Sequence, residues 1–363
     1  MKHKRLSILT LALISFGTII YADKAGNSRL GMDRDSYGVY DRKGGLSTQD
    51  YPYFVGQAYK PSWTSEINPA RNKFNWSQLD KRLKQAYEQN QRLYLQVHVS
   101  YKSIKAPPKW VYDSGVPMVK GPPDSKKKSR GGATIYPYWL DSKFISYYKE
   151  MVSNLGEHVR NNVSPQLQKI LSFVRVDCGI HGDDRPYDDA SAIPAKYKIS
   201  KSEWMDFKFM AYDTYKKAFQ EGNGPIIPLM FKHASPEKYK SEWDWIQNNI
   251  KHSYGVRYLG DTRGHHFTGS QLTTDQFRDI AVDSNAGIFS RNEMDQAWQS
   301  PMAQSNLPLY FYWTAIEQLH PGLSIWDILG AGSNYSKKGK YEFTFEFFNR
   351  WAADLVPATA GGG

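Results

Sequence analysis

At 363 residues, 40% hydrophobic and 15% aromatic, the chain can bury one large core, and its single cysteine, Cys178, excludes an internal disulfide framework. The formal net charge of +11 suits an acidic partner, yet no nucleic-acid-binding motif accompanies it, so nucleic acid is not expected.

In chain order, MKHKR is a basic start, LSILTLALISFGTII an apolar run and Ala22 a small residue before cleavage, so residues 1–22 read as an export signal. The protein is expected to be secreted or periplasmic. The apolar run is short for a spanning helix and no later run resembles one, so no stable membrane span is expected. Losing Lys2, Lys4 and Arg5 with the leader takes the charge to about +8. Residues 23–50, polar and Gly-rich, read as an N-terminal arm.

From there short apolar runs alternate with amphipathic ones. Strands are expected at 53–60 and 92–99, with a helix between them carrying Leu79, Leu83 and Ala86 on one face. The segment containing APPKW and KGPPDSKKKSRGG is too rich in Pro, Gly and Lys for a regular element. Phe144, Tyr148, Val152, Leu155 and Val159 then mark a helix, with Asp141 or Ser142 as its cap. Further strands are expected at 170–176, 225–231, 255–260, 287–291 and 309–313, and helices at 203–219, 236–250, 273–282, 294–299 and 343–353.

Such alternation without a short internal repeat predicts a parallel sheet, and the number of units predicts an α/β fold of the TIM type, a (β/α)8 barrel over residues 51–353 as one domain. Residues 354–363, ending VPATAGGG, read as a linker or truncated tail.

In such a barrel chemistry gathers at the C-terminal strand ends. That rule selects Trp63, His98 with Tyr101, and Asp177 with His181, Asp183 and Asp184. Further along it selects His233, His265, Arg291 with Glu293, and Trp313. Sugar hydrolysis needs such a set: two carboxyl groups flanking a glycosidic bond, and aromatic faces to pack on sugar rings. The adjacent His265 and His266 diverge on a strand, so no zinc site and no cofactor are expected, although an Asp-rich run also suits a cation.

WTSEINPARNKFNWSQLDKRLKQAYEQNQRLYLQVHV resembles the second and third units of clan A glycoside hydrolases. APPKWVYDSGVP resembles a loop of family 42-type β-galactosidases and their agarase- and carrageenase-like relatives. GIFSRNEMDQAW is similar to the end of strand seven in that group, and LHPGLSIWDI with FEFFNRWA to its last unit. The resemblance implies hydrolysis of β-glycosidic bonds in an oligo- or polysaccharide, with Glu293 as nucleophile of a retaining mechanism. His98, Arg291 and Trp313 would position sugar, and Trp63 would serve as an aromatic platform. It also implies, with the basic charge, an anionic polysaccharide such as a sulfated galactan of the agar or carrageenan type.

At strand four the sequence departs from the clan, which places an Asn-Glu pair where Asp177-Cys178-Gly179 stands. Three readings stay open there. Asp177, or Asp183 or Asp184, is the acid; His181 donates or relays the proton; or the acid is absent and the barrel is a glycan-binding protein with little turnover. Cys178 is expected to be a small buried hydrophobe. A polysaccharide lyase with a His or Tyr base is a third class, set apart by an unsaturated product.

Overall fold

A computed structural model describes residues 20–22, 28–30, 36, 38–41, 54–100, 106–123, 133–180, 185–187, 189–232, 240–250, 254–257, 289–294 and 324–328. Their elements up to α3 are β1 (Ile20–Ala22), β2 (Ser28–Leu30), β3 (Gly38–Asp41), β4 (Phe54–Tyr59), α1 (Ser77–Glu88), β5 (Arg92–Leu95), α2 (Lys109–Asp113), β6 (Met118–Pro123), β7 (Ala133–Pro137) and α3 (Ser142–Glu157). After these come α4 (Pro165–Gln168), β8 (Leu171–Arg175), α5 (Lys201–Gln220), β9 (Leu229–Lys232), α6 (Lys240–Asn249), β10 (Tyr254–Arg257), β11 (Phe289–Met294) and β12 (Ser324–Ile328).

The sheet closes into a parallel barrel in the order β3, β4, β5, β8, β9, β10, β11, β12, so these are barrel strands one to eight. Closure depends on β3, which lies inside the stretch read from sequence as an arm. Four residues between Gly- and Asp-rich flanks carry too little periodicity to announce a strand, and only its neighbours β12 and β4 reveal it. β1 and β2 form a separate antiparallel pair, joining the end of the expected leader to the start of that arm. The segment read as irregular after strand three also contains structure, the helix α2 and the antiparallel hairpin β6–β7. The strand expected at 309–313 and the helices expected at 273–282, 294–299 (apart from Met294, which ends β11) and 343–353 lie outside the described residues.

Helix α3 shows why the units form. Asp141 caps it, its Oδ1 accepting from the backbone N–H of Lys143 (3.0 Å) and Phe144 (3.1 Å). Phe144, Tyr148, Val152 and Leu155 are fully buried, at about 1.5–3 kcal/mol each for the aliphatic and phenyl side chains. A π turn, His158–Asn162, ends the helical run and buries Val159. Helix α5 starts with a capping box between Ser200 and Glu203. Its C-terminal carbonyls are satisfied by the Arg160 guanidinium, which donates to the oxygens of Ala218 (3.2 Å) and Glu221 (2.5 Å). Gly156 lets α3 and α5 touch, because a Cβ there would stand 2.4 Å from the Ala218 carbonyl oxygen.

Inside the barrel, side chains alternate along the strands, apart from register irregularities at Val55 of β4 and Ser172 of β8. The lowest layer is apolar: Tyr40, Ala58, Tyr94, Phe173 and Met230 pack together, with Tyr94 stacked on Phe173 at 4.9 Å. Gly56 makes room for Tyr40, since a Cβ there would lie 2.3 Å from the ring. Two residues further along four of these strands, the lumen turns polar, with Lys60, Gln96, Arg175 and Lys232. One step beyond are His98 and Asp177. The intervening Leu95, Val97, Val174 and Val176 belong to the larger core under the helices.

One buried ion pair ties α5 to α6. Lys208 Nζ stands 2.6 Å from Glu242 Oε1, with side chains 3% and 5% exposed. Glu242→Gln or Lys208→Met alone strands a desolvated charge and is expected to cost about 3–5 kcal/mol in urea unfolding. The double replacement by Met and Leu is expected to recover most of it. Two single costs that simply add in the double variant would show that the pair is not coupled.

Candidate active site

The mouth of the barrel is built where strands two, three and four run past their regular pairing. Bridges Ser62–His98 and Ser100–Ile180 continue the parallel order beyond the strands. Backbone bonds from Trp63 N to His98 O (2.8 Å) and from His98 N to Pro61 O (2.7 Å) hold the His98 main chain. Val176 N donates to Met230 O at 2.9 Å, and the Tyr148 hydroxyl donates to the Asp177 carbonyl at 2.7 Å, so Asp177 is pinned from strand five and from α3.

Asp177 is completely buried. Its Oδ2 accepts from Gln96 Nε2 at 2.8 Å and lies 3.1 Å from His98 Nδ1, and its Oδ1 accepts from Val99 N at 3.3 Å. Arg175 Nη1 in turn donates to Gln96 Oε1 at 3.0 Å. The chain of contacts runs from guanidinium to amide to carboxylate to imidazole. His98 is the member that keeps a solvent-facing edge, its side chain 10% exposed.

Burial pushes the His98 imidazole below its ordinary value of 6.5, against the pull of the Asp177 carboxylate, and the cations Lys60 and Arg175 push in the same direction. A neutral ring whose Nδ1–H points at a carboxylate leaves Nε2 as an acceptor. This makes a stability prediction with a definite sign. Below pH 6.5 the unfolded chain protonates this histidine while the folded one resists, so stability falls as pH falls. Urea unfolding between pH 7.5 and 5 should show a steeper loss for the wild type than for His98→Asn; parallel curves would refute it.

This geometry revises the expected role of Asp177. A carboxylate closed to solvent, with three donors on its two oxygens, cannot protonate a leaving oxygen from where it stands; it orients His98. Trp63 is also reassigned. It is fully buried, its Nε1 donates to Asn68 Oδ1 at 3.0 Å and its ring packs 6.2 Å from Phe144, so it offers no face to a sugar. Cys178 is buried in the helix-side core.

Strand seven continues past the expected end, so Glu293 is its penultimate residue rather than part of the following loop. Its backbone is level with Asp327 on strand eight, and that of Arg291 with Ile325. Tyr101, His181, Asp183, Asp184, His233, His265 and Trp313 lie outside the described residues.

No protein-family model and no curated protein matches the chain. Among solved structures it is similar to a family 10 xylanase from Bispora sp. MEY-1 determined with xylobiose, at 15% identity and TM-score 0.47, covering 80% of this chain and 83% of that one. It is similar too to a psychrophilic family 10 endo-β-1,4-xylanase (11%, 0.45, covering 82% and 86%). A third is an intracellular xylanase from Thermoanaerobacterium saccharolyticum (10%, 0.45, covering 81% and 85%). Likeness at this level carries nothing about substrate or catalytic residues, and the barrel is established by its own strand pairing.

Gln96, Arg175, Lys60 and Lys232 are site residues that strand-end reasoning passes over. The signal was in the alternation: they occupy inward positions of otherwise apolar strands, where a polar residue calls for a partner. Among the described residues no group of three or more His, Cys, Asp or Glu is arranged to hold a metal ion, and no helix is long and apolar enough to cross a membrane. Asp189, from the Asp-rich run, caps a short 3-10 turn through Ser191.

Proposed function

We propose that this chain is a glycoside hydrolase cleaving β-glycosidic bonds of an oligo- or polysaccharide at the mouth of its barrel. The observation that carries the reading is that one closed barrel has the His98–Asp177 pair past the ends of strands three and four and Glu293 near the end of strand seven. Glu293 takes the nucleophile's role, attacking the anomeric carbon. The proton for the leaving oxygen is assigned to the loop after strand four, to His181, Asp183 or Asp184, because Asp177 is occupied in holding His98. Neutral His98 would accept a hydrogen bond from a sugar hydroxyl or from the water that resolves the glycosyl-enzyme.

The basic start and apolar run at the N-terminus support export, to the periplasm or beyond. The basic balance and the resemblance to agarase- and carrageenase-like barrels support a galactan, sulfated in the favoured case. The test is product analysis on a panel of neutral and sulfated polysaccharides. New reducing ends from one of them support the reading; an ultraviolet-absorbing unsaturated product would replace it with a lyase. The runner-up, a glycan-binding barrel without turnover, rests on the absence of the strand-four glutamate.

A further inference from the structure

Strands three and four carry matched inward positions. Tyr94 is level with Phe173, and two and four residues further on lie Gln96 and His98 on one strand, Arg175 and Asp177 on the other. All four are buried. At the lower level Arg175 Nη1 donates to Gln96 Oε1 at 3.0 Å; at the upper level His98 Nδ1 lies 3.1 Å from Asp177 Oδ2. A diagonal joins the two levels, Gln96 Nε2 donating to the same Oδ2 at 2.8 Å. The amide gives this square a direction. A guanidinium has donors only, so it takes the carbonyl end of Gln96 and leaves the NH2 for the carboxylate. Turned over, the amide would set NH2 against guanidinium and oxygen against carboxylate.

A carboxylate closed to solvent is costly without a cation near it, and a neighbouring imidazole can supply one by taking up a proton. Arg175, one side chain away from Asp177, removes that need. We propose that Arg175 is a positioning residue that acts through Gln96 to keep His98 neutral, with its proton on Nδ1 and Nε2 left as an acceptor at the barrel mouth. Burial works on the ring in the same sense, and so does Lys60, just past the end of strand two, while Asp177 opposes them. Arg175 acts through a hydrogen-bonded link as well as through space. What the acceptor does to a sugar rests on the hydrolase reading; where the proton sits does not.

The test is nitrogen-15 NMR of the histidine rings across a pH titration, with the His98 signals assigned by their loss in His98→Asn. In the unaltered protein at pH 7 the ring should carry its proton on Nδ1 and a bare Nε2; a proton on Nε2 there overturns the proposal without any variant. Arg175→Met should move the titration of Nε2 upward in pH, and Arg175→Lys, which keeps a donor-only head, should return most of that shift. Gln96→Met, which leaves the guanidinium but cuts the link, should move it the same way. An unmoved titration in Arg175→Met overturns the proposal. So does a shift in Arg175→Met with none in Gln96→Met, which would make the arginine a distant charge and not a link. If Arg175→Met fails to fold, the Gln96→Met titration and the unaltered ring decide. A loosened fold alone does not choose which ring nitrogen holds a proton. Where a glycan is turned over, the acid limb of its pH–rate profile should move with the spectrum. Spectra as expected in a protein that cleaves no glycan would keep the link and remove the hydrolase reading; turnover with spectra indifferent to both replacements would do the reverse.

Discussion

Replacing Glu293 with Gln is expected to reduce release of reducing sugar by about a thousandfold or more, with affinity for the same glycan little changed. An amide keeps the shape and the hydrogen-bonding span of the side chain but cannot donate an electron pair to the anomeric carbon, so the covalent route closes while binding contacts survive. Glu293 sits within the paired part of strand seven, in register with Asp327, so its backbone is held by strand eight of the barrel. Reducing-end assays and calorimetry on the same preparation check both halves. Undiminished turnover would remove Glu293 from the mechanism; absence of turnover in the wild type, with binding equal in both proteins, would favour the glycan-binding barrel.

Asp177→Asn is expected to lower kcat by about 10²–10³-fold and to destabilise the fold by about 1–3 kcal/mol. The carboxylate serves three donors with two acceptor oxygens. An asparagine has one oxygen and one NH2, so in either orientation a buried N–H of Gln96, His98 or Val99 faces another donor. If the amide NH2 faces His98, the ring moves its proton to Nε2 and the acceptor at the mouth becomes a donor. Loss of kcat should then exceed what a merely loosened fold produces. The check is a cycle with His98→Gln: if the two residues act as one unit, the double variant is hardly slower than either single one, and the pH–rate profile of Asp177→Asn coincides with that of His98→Gln. Multiplying losses would separate them.

The elements that sequence reading located well are those whose signal is local. Helix α3 declares itself through apolar residues four, four, three and four apart and a capping aspartate, and its face is buried as that spacing requires. Strand four shows as a mainly apolar run, broken by Ser172 and Arg175, because it is covered on both sides, and all five residues of β8 are buried. Strand one and the β6–β7 hairpin have no such local mark. Gly38–Asp41 is a strand because β12 and β4 flank it, and Met118–Pro123 pairs with Ala133–Pro137 across a stretch whose composition argues for a loop.

The site divides along the same line. The rule that barrel chemistry lies at C-terminal strand ends picks out His98 and Asp177 from sequence, although they are 79 residues apart. It could not tell that Asp177 faces inward under three donors, since solvent access depends on strands three and five and on Tyr148 of α3 closing around it. Nor could it tell that Trp63 is spent on Asn68 and Phe144 instead of a sugar. Residue order and periodicity were enough to specify an α/β chain of alternating units with one covered face per helix, because those preferences act over a few residues. Which polar groups meet in the lumen, which carboxylate is shut away and which histidine keeps an open edge were decided only by barrel closure, because closure alone brings positions far apart in the chain within hydrogen-bonding distance.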